Sequence, residues 1–300
     1  MSVVVAGALD LTFREPPLRL HPVVAIGRYL SAAERVVPTE PPVAALTTGA
    51  AAWLGGAVGA VVLGRLAERV AARLGRLWGS AVRGAVLWPL LSARLLLDEV
   101  RAVESSLGLG TEAGREALAR IVSRDTGQLR PEEVRGAAIE SLSENLSDSL
   151  VAPLFWYLLA GLPGAALYRF ANTADARWGY RSGRWEYAGR VAARADDALN
   201  LLPARLTALM LYGGSGWSDL RREAGKTSSP NAGWPMAAMA LRLGLRLTKR
   251  GHYDLNPVGA EPGPGHVTDA VRAGRRTALV AVAVAAASEG LARRHRGAPR

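Results

Sequence analysis

Residues 138–209 read AIESLSENLSDSLVAPLFWYLLAGLPGAALYRFANTADARWGYRSGRWEYAGRVAARADDALNLLPARLTAL, and acids, amides and arginines cluster there around apolar runs. A helix starting at Pro131 places Glu132 and Glu133 in its first turn, where the helix dipole favours acids. Glu140, Glu144 and Asp148 then recur every fourth residue on one face, with Ile139, Leu142, Leu146 and Leu150 opposite. A solvated acidic face on an ordinary amphipathic helix would show the same spacing. The neighbouring run argues otherwise: Ser149 to Tyr168 carries no charge, is long enough to cross a bilayer, and puts the acids at the mouth of an apolar segment, where carboxylates need partners.

Partners lie beyond the run. Asn172 and Asp175 are three apart, Arg190, Arg194 and Asp197 share another face, and Asp196 pairs with Asn200 at four. Oxygen ligands without soft donors suit Mg²⁺, and arginines suit phosphate or carboxylate, so the cluster reads as a phosphate-handling site. Inside the run, Gly161-Leu162-Pro163-Gly164 stops one helix and starts the next. A hairpin there would return Asn172 and Asp175 to the side of Glu140, Glu144 and Asp148, whereas a straight span would set them a membrane thickness apart.

Working outward, Pro41 to Gly64 contains no charge, about 36 Å of helix, and reads as the clearest transmembrane helix. Gly49, Gly55, Gly56 and Gly59 would let a neighbouring helix approach closely. Arg65, Arg69, Arg73 and Arg76 form a basic stripe expected on the cytoplasmic side. Residues 77–97 read as a membrane or membrane-edge helix, and 277–291 as a marginal or interfacial one. Residues 1–9 read as an interfacial anchor, giving four or five membrane-embedded segments in all. Residues 98–137 mix acids and arginines at helical spacing, broken at Gly108, Gly110 and Gly127, and read as a cytoplasmic helical cap. Residues 215–234 read as a polar loop.

The expected fold is therefore all-α: a polytopic integral membrane protein, one domain over 1–300, with the cap inside it. With no cysteine in the chain, disulfides, thiol nucleophiles and iron–sulfur clusters are excluded, and His21, His252, His266 and His295 lack paired metal-ligand spacing. The formal charge of +11 comes largely from arginines flanking apolar runs, which favours anionic lipid over nucleic acid.

The blocks ESLSENLSD, APLFWYLLAGLPGAALYRFANTADARWGYR, AARADDALNLLPARLTAL and SPNAGWP, with DLTFREPPLRLHPVVAIGR near the start, resemble the CobD/CbiB family of cobalamin biosynthesis, the adenosylcobinamide-phosphate synthases. The resemblance implies a multi-pass protein of the cell (cytoplasmic) membrane. It implies a carbon–nitrogen ligase joining aminopropanol or aminopropanol phosphate to the free carboxylate of a cobyric-acid corrinoid, with ATP and Mg²⁺ and through an acyl phosphate. The implied partners are that corrinoid, the amine, the lipid bilayer and other late-pathway membrane enzymes. No GxxxxGK[ST] loop is present, so ATP use is an implication of the resemblance alone. A membrane scaffold or corrinoid carrier without catalytic activity is the alternative, because polar clusters beside broken helices also mark transport sites.

The resulting candidates are Glu140, Glu144, Asp148, Asp175, Arg194 and Asp197 for catalysis, with Glu144, Asp148 and Asp175 as metal ligands. Asn145, Asn172, Arg181, Asn200, Arg205, Asn231, His21 and Arg28 are the candidates for substrate binding. A histidine before proline more often serves a turn than a reaction. Where the family usually has His-Pro before Ser-Pro-Asn and often Glu after Trp-Pro, this chain has Thr227, Ser228 and Met236.

Overall fold

A computed structural model describes residues 1–13, 15–180, 182–213 and 216–297, with the backbone alone for Leu20 and residues 293–297. The helices in chain order are α1 (Ser2–Phe13), α2 (Pro22–Glu34), α3 (Pro42–Arg73), α4 (Gly75–Leu87), α5 (Ala93–Leu107), α6 (Thr111–Ala119) and α7 (Pro131–Leu146). After a π-helical turn at Ser147–Val151 come α8 (Ala152–Trp178), α9 (Trp185–Ala188), α10 (Arg190–Tyr212), α11 (Trp217–Ala224), α12 (Gly233–Leu243) and α13 (Pro264–Gly297). The sheet described is one short antiparallel hairpin, β1 (Leu247–Lys249) with β2 (Tyr253–Leu255), Leu247 facing Leu255. The chain forms two compact units, each assembled from separate stretches: residues 1–92, 152–200 and 282–300 in the first, 93–151 and 201–281 in the second.

Among the described residues three helical segments are long and apolar enough to cross a membrane, Pro42–Arg73, Gly75–Leu107 and Pro131–Trp178; Ser2–Phe13 is apolar but shorter. Four or five were expected. The stretch 277–291 does not qualify, because α13 carries Arg275 and Arg276 before its apolar turns and Glu289 within them.

In the first unit α3 is the axis. Leu54, Val58, Val62, Leu66 and Val70 recur every fourth residue and stay between 45% and 60% exposed, an apolar stripe of the kind that lipid solvates. On another face Gly49, Gly56 and Gly64 lie two turns apart. A Cβ on Gly49 would fall 2.2 Å from the Ala188 carbonyl oxygen, and one on Gly64 2.6 Å from the Pro163 Cα; at Gly56 it would meet the Phe170 ring. These glycines let α8 and α9 lie against the α3 backbone, while Gly59 faces open space. Leu30, Ala33, Phe170, Ala174, Trp178 and Ala192 fill the core alongside.

The GLPG punctuation reverses the chain. Gly161 has φ 67° and ψ −156°, a left-handed conformation that glycine tolerates. A straight helix would separate Trp156 and Gly164 by about 12 Å; here a Cβ on Gly164 would lie 2.4 Å from the Trp156 carbonyl oxygen. Glu68 of α3 holds the tip, accepting from the Leu162 N–H at 3.3 Å and pairing with Arg83 at 2.6 Å. Pro163 beside Gly64 and Phe170 beside Gly56 show that the second arm runs antiparallel to α3. Asn172 and Asp175 therefore lie toward the Pro42 end, and Arg65–Arg76 at the other. The basic stripe and the Asn172–Asp175 pair thus sit at opposite ends of α3.

In the second unit α7 is central. Every residue from Gly136 to Ser143 is buried, so Glu140, which is 2% exposed, is not part of a solvated face. The π turn, with about one residue more per turn than an α-helix, breaks the four-residue register before Asp148. The predicted start at Pro131 holds, with the Glu133 carboxylate accepting from the Arg130 N–H, as does the Gly108/Gly110 break between α5 and α6. Residues 215–234 were expected as loop, yet α11 occupies part of them. Leu220, Glu223 and Ala224 form its buried face, Asp219 sits in its first turn and Arg221 and Arg222 in its last, as the helix dipole favours.

Candidate functional site

The first unit gathers amides and carboxylates where α8 meets α10. Asn172 donates to one oxygen of Asp196 at 3.3 Å and Asn200 donates to the other at 3.0 Å. The buried Tyr168 hydroxyl donates to the Asn200 side-chain oxygen at 2.9 Å, and the Trp156 indole N–H to the Leu199 carbonyl at 3.0 Å. Trp156 and Tyr168 come from opposite arms of the hairpin yet reach adjacent residues of α10, so the reversal builds the cluster. Burial, and then the neighbouring charge of Asp175, push the Asp196 carboxyl up to about 7, with both amides acting in the other direction. Gly179 leaves room for Asp175: a Cβ there would lie 2.0 Å from its carboxylate.

Of the residues the sequence singled out, this cluster contains Asn172, Asp175 and Asn200. Asp197, one position along α10, acts on Asp196 through its charge, and Arg194 is exposed on the same helix. Asp196 and Tyr168 were not among the selected candidates. The four-residue spacing of Asp196 and Asn200 is the signal that pointed to the former; nothing local singles out a tyrosine in an apolar run.

His21 caps α2: its Nδ1 accepts from the Val23 N–H at 3.2 Å, and Nε2 lies 3.2 Å from Glu15. It is buried and does the work of a turn residue. The His21 contact and the Ser92 hydroxyl hold the Glu15 carboxyl below its ordinary range despite burial. Arg28 is exposed on α2, and Arg181 lies outside the described residues.

The second unit holds two further groups. Arg124, from the loop before α7, forms an ion pair with Glu140, and Tyr253 of β2 joins them. Burial raises the Tyr253 phenol, followed by the charge of Glu140, with a smaller effect from Glu144. Arg124 and Tyr253 were not selected from the sequence. Asn145, one turn beyond Ser141, donates to that residue's carbonyl at 2.9 Å. Arg205 donates to the Asn231 side chain at 3.2 Å and to the Pro230 carbonyl at 3.3 Å, and its guanidinium lies 4.7 Å from the centre of the Trp234 ring. Arg205 and Asn231, each a separate candidate for substrate binding, are thus in direct contact, with arginine clamping the SPNAGWP turn.

Among the described residues no three His, Asp or Glu side chains come together as a ready-made metal cage. Asp175 and Asp196, with two amides beside them, still suit Mg²⁺ chemically. That ion commonly takes one or two carboxylates and completes its shell with water and substrate phosphate oxygens. The same carboxyl, poised near neutrality, can exchange a proton with an amine.

A family model described as CobD/Cbib protein matches residues 3–282. A protein of Chromobacterium violaceum called "Cobalamin biosynthesis protein CobD" is 42% identical over 278 residues, covering 87% of both chains. "Probable cobalamin biosynthesis protein CobD" of Pyrococcus furiosus is 38% identical, covering 84% of this chain and 86% of its own. A CobD protein of Rhodobacter capsulatus is 46% identical over 57% of this chain and 56% of its own. No solved structure matches.

Proposed function

This chain belongs to the CobD/Cbib protein family, and from that premise we propose that it acts in cobalamin biosynthesis as a membrane-bound carbon–nitrogen ligase. The proposed reaction joins the amine of aminopropanol, or of its phosphate, to the free carboxylate of a cobyric-acid corrinoid. The observation that carries this reading is the Asp196 cluster: a carboxyl raised to about 7 beside a second carboxylate. An alkylammonium must lose a proton before its nitrogen can attack an activated acyl group, and a base poised near neutrality suits that task. Asn172 and Asn200 hold both Asp196 oxygens, so the group presents a fixed face and cannot turn away.

ATP would supply the phosphoryl group that activates the corrinoid carboxylate, and Mg²⁺ the positive charge that offsets its phosphates. Asp175 is the ligand we assign to that ion, which leaves Asp196 to take the proton. Glu144 and Asp148 are proposed to contribute to the same chemistry, with Arg205 and Asn231 on substrate binding. The cell membrane is the proposed location, in keeping with three apolar helices of spanning length.

The test uses detergent-purified protein given cobyric acid, aminopropanol phosphate and MgATP. An amide product that disappears in Asp196→Asn supports the ligase. Corrinoid binding with no product would identify a carrier instead.

A further inference from the structure

The face of α11 that turns away from the second unit's core, with the residues that follow it, carries an open surface depression lined by Trp217, Ser218, Arg221, Arg222, Gly225 and Lys226. These residues recur one helical turn apart, while Leu220, Glu223 and Ala224 on the other face are buried.

The cations are held in place from beneath. The buried Glu223 carboxylate accepts from the Lys226 ammonium at 2.6 Å and from the Asn256 N–H at 2.6 Å, and Lys226 also donates to the Asp254 carbonyl at 3.2 Å. Asp219 pairs with Arg222 at 2.8 Å. Arg221 makes no ion pair among the described residues, so three cations face two acids and positive charge is left over. Trp217 stacks against Trp234 with ring centres 5.3 Å apart, yet 42% of it remains exposed, leaving an apolar surface beside the cations.

We propose that this depression binds a phosphate ester, with the phosphate on Arg221, Arg222 and Lys226 and the organic part against Trp217. A carboxylate is satisfied by one arginine fork, whereas a phosphate group accepts from several donors at once and carries up to two charges. Three cations gathered on one short helix beside a single aromatic ring fit one compact headgroup rather than a polyanion, which needs an extended track of cations. Trp234 links the depression to Arg205, whose guanidinium packs on its ring and holds the SPNAGWP turn.

Two sources share this chemistry, a soluble phosphate ester and the headgroup of an anionic phospholipid. Full-length protein in maltoside micelles is titrated with ADP without metal, and separately with phosphatidylglycerol. Binding of either probe, weakened at least tenfold in Arg221→Gln/Arg222→Gln and several-fold in Trp217→Leu, supports the site, and the responding probe names the source. Arg221→Lys/Arg222→Lys, which keeps the charge, should recover part of the affinity, separating a binding defect from a folding one. Failure of the wild type to bind either probe, or unchanged affinity for both in the glutamine variant, overturns it. Binding is read without turnover, so the outcome does not depend on the ligase reading.

Discussion

Asp196 receives a hydrogen bond on each oxygen and is nonetheless displaced toward the neutral form, because burial and Asp175 outweigh the amides. Its folded-state value is raised to about 7 from 3.8, so between these pH values the folded chain keeps a proton that the unfolded chain has lost, and stability falls as pH rises. Cation binding should run the opposite way, strengthening as the proton leaves. Thermal unfolding in detergent from pH 5 to 8 should therefore show a declining midpoint in the wild type and a flatter one in Asp196→Asn, with Mg²⁺ restoring stability above pH 7 in the wild type alone. An unchanged slope in the variant would remove Asp196 as the responsible group. The Arg124–Glu140 pair makes a different demand. Arg124→Ala should cost about 3–5 kcal/mol by stranding a buried carboxylate, and replacing both by methionine should recover most of it, as urea unfolding can measure. At this scale the sequence was half legible. The three- and four-residue spacings that brought Asn172, Asp175 and Asn200 forward are local properties, whereas the pairing of Glu140 with Arg124 depends on how an irregular loop crosses α7, which spacing does not encode.

Helices and their breaks were easier to read, because punctuation is chemistry close in sequence. Pro131, Gly108, Gly110 and the GLPG turn all act where they stand. Contacts between helices were only partly visible: four glycines of α3 were noted, but Gly64 was needed to complete the stripe that α8 and α9 use, and Gly59 faces away. Gly49→Ala presses a methyl group into the backbone of α9, so it should destabilise by about 1–3 kcal/mol in a thermal-shift assay, while Gly59→Ala should be near neutral. The π turn and α11 were missed, the first because its extra residue leaves no compositional trace, the second because its buried face carries only two apolar residues, Leu220 and Ala224.

For the molecule as a whole, apolar run length conveyed a helical chain with membrane-crossing segments, and the arrangement across the bilayer lay beyond it. Arginines crowd both ends of α3: Arg65, Arg69, Arg73 and Arg76 at one, Arg28, Arg35, Arg177 and Arg184 near the other, where Arg177 pairs with Glu34. Counting positive charge therefore fails to orient it. If the Asp196 cluster handles ATP and a water-soluble corrinoid, the Pro42 end faces the cytoplasm. Because the chain has no cysteine, Glu40→Cys and Leu77→Cys give clean reporters. An impermeant maleimide added to intact cells should label position 77 and spare position 40, and the reverse pattern would place the cluster outside.

The first unit closes with its own two extremes. The Glu289 carboxylate on α13 accepts from the Ser2 and Val3 N–H groups at 3.3 Å each, and Gly7 fits beneath Val282. Because α13 follows the other described helices in the chain, α1 meets this carboxylate only after they have been made. Until then, α1 waits with its opening amides uncapped by that carboxylate, which makes completion of this unit a late event in biosynthesis, however early its first turn emerges.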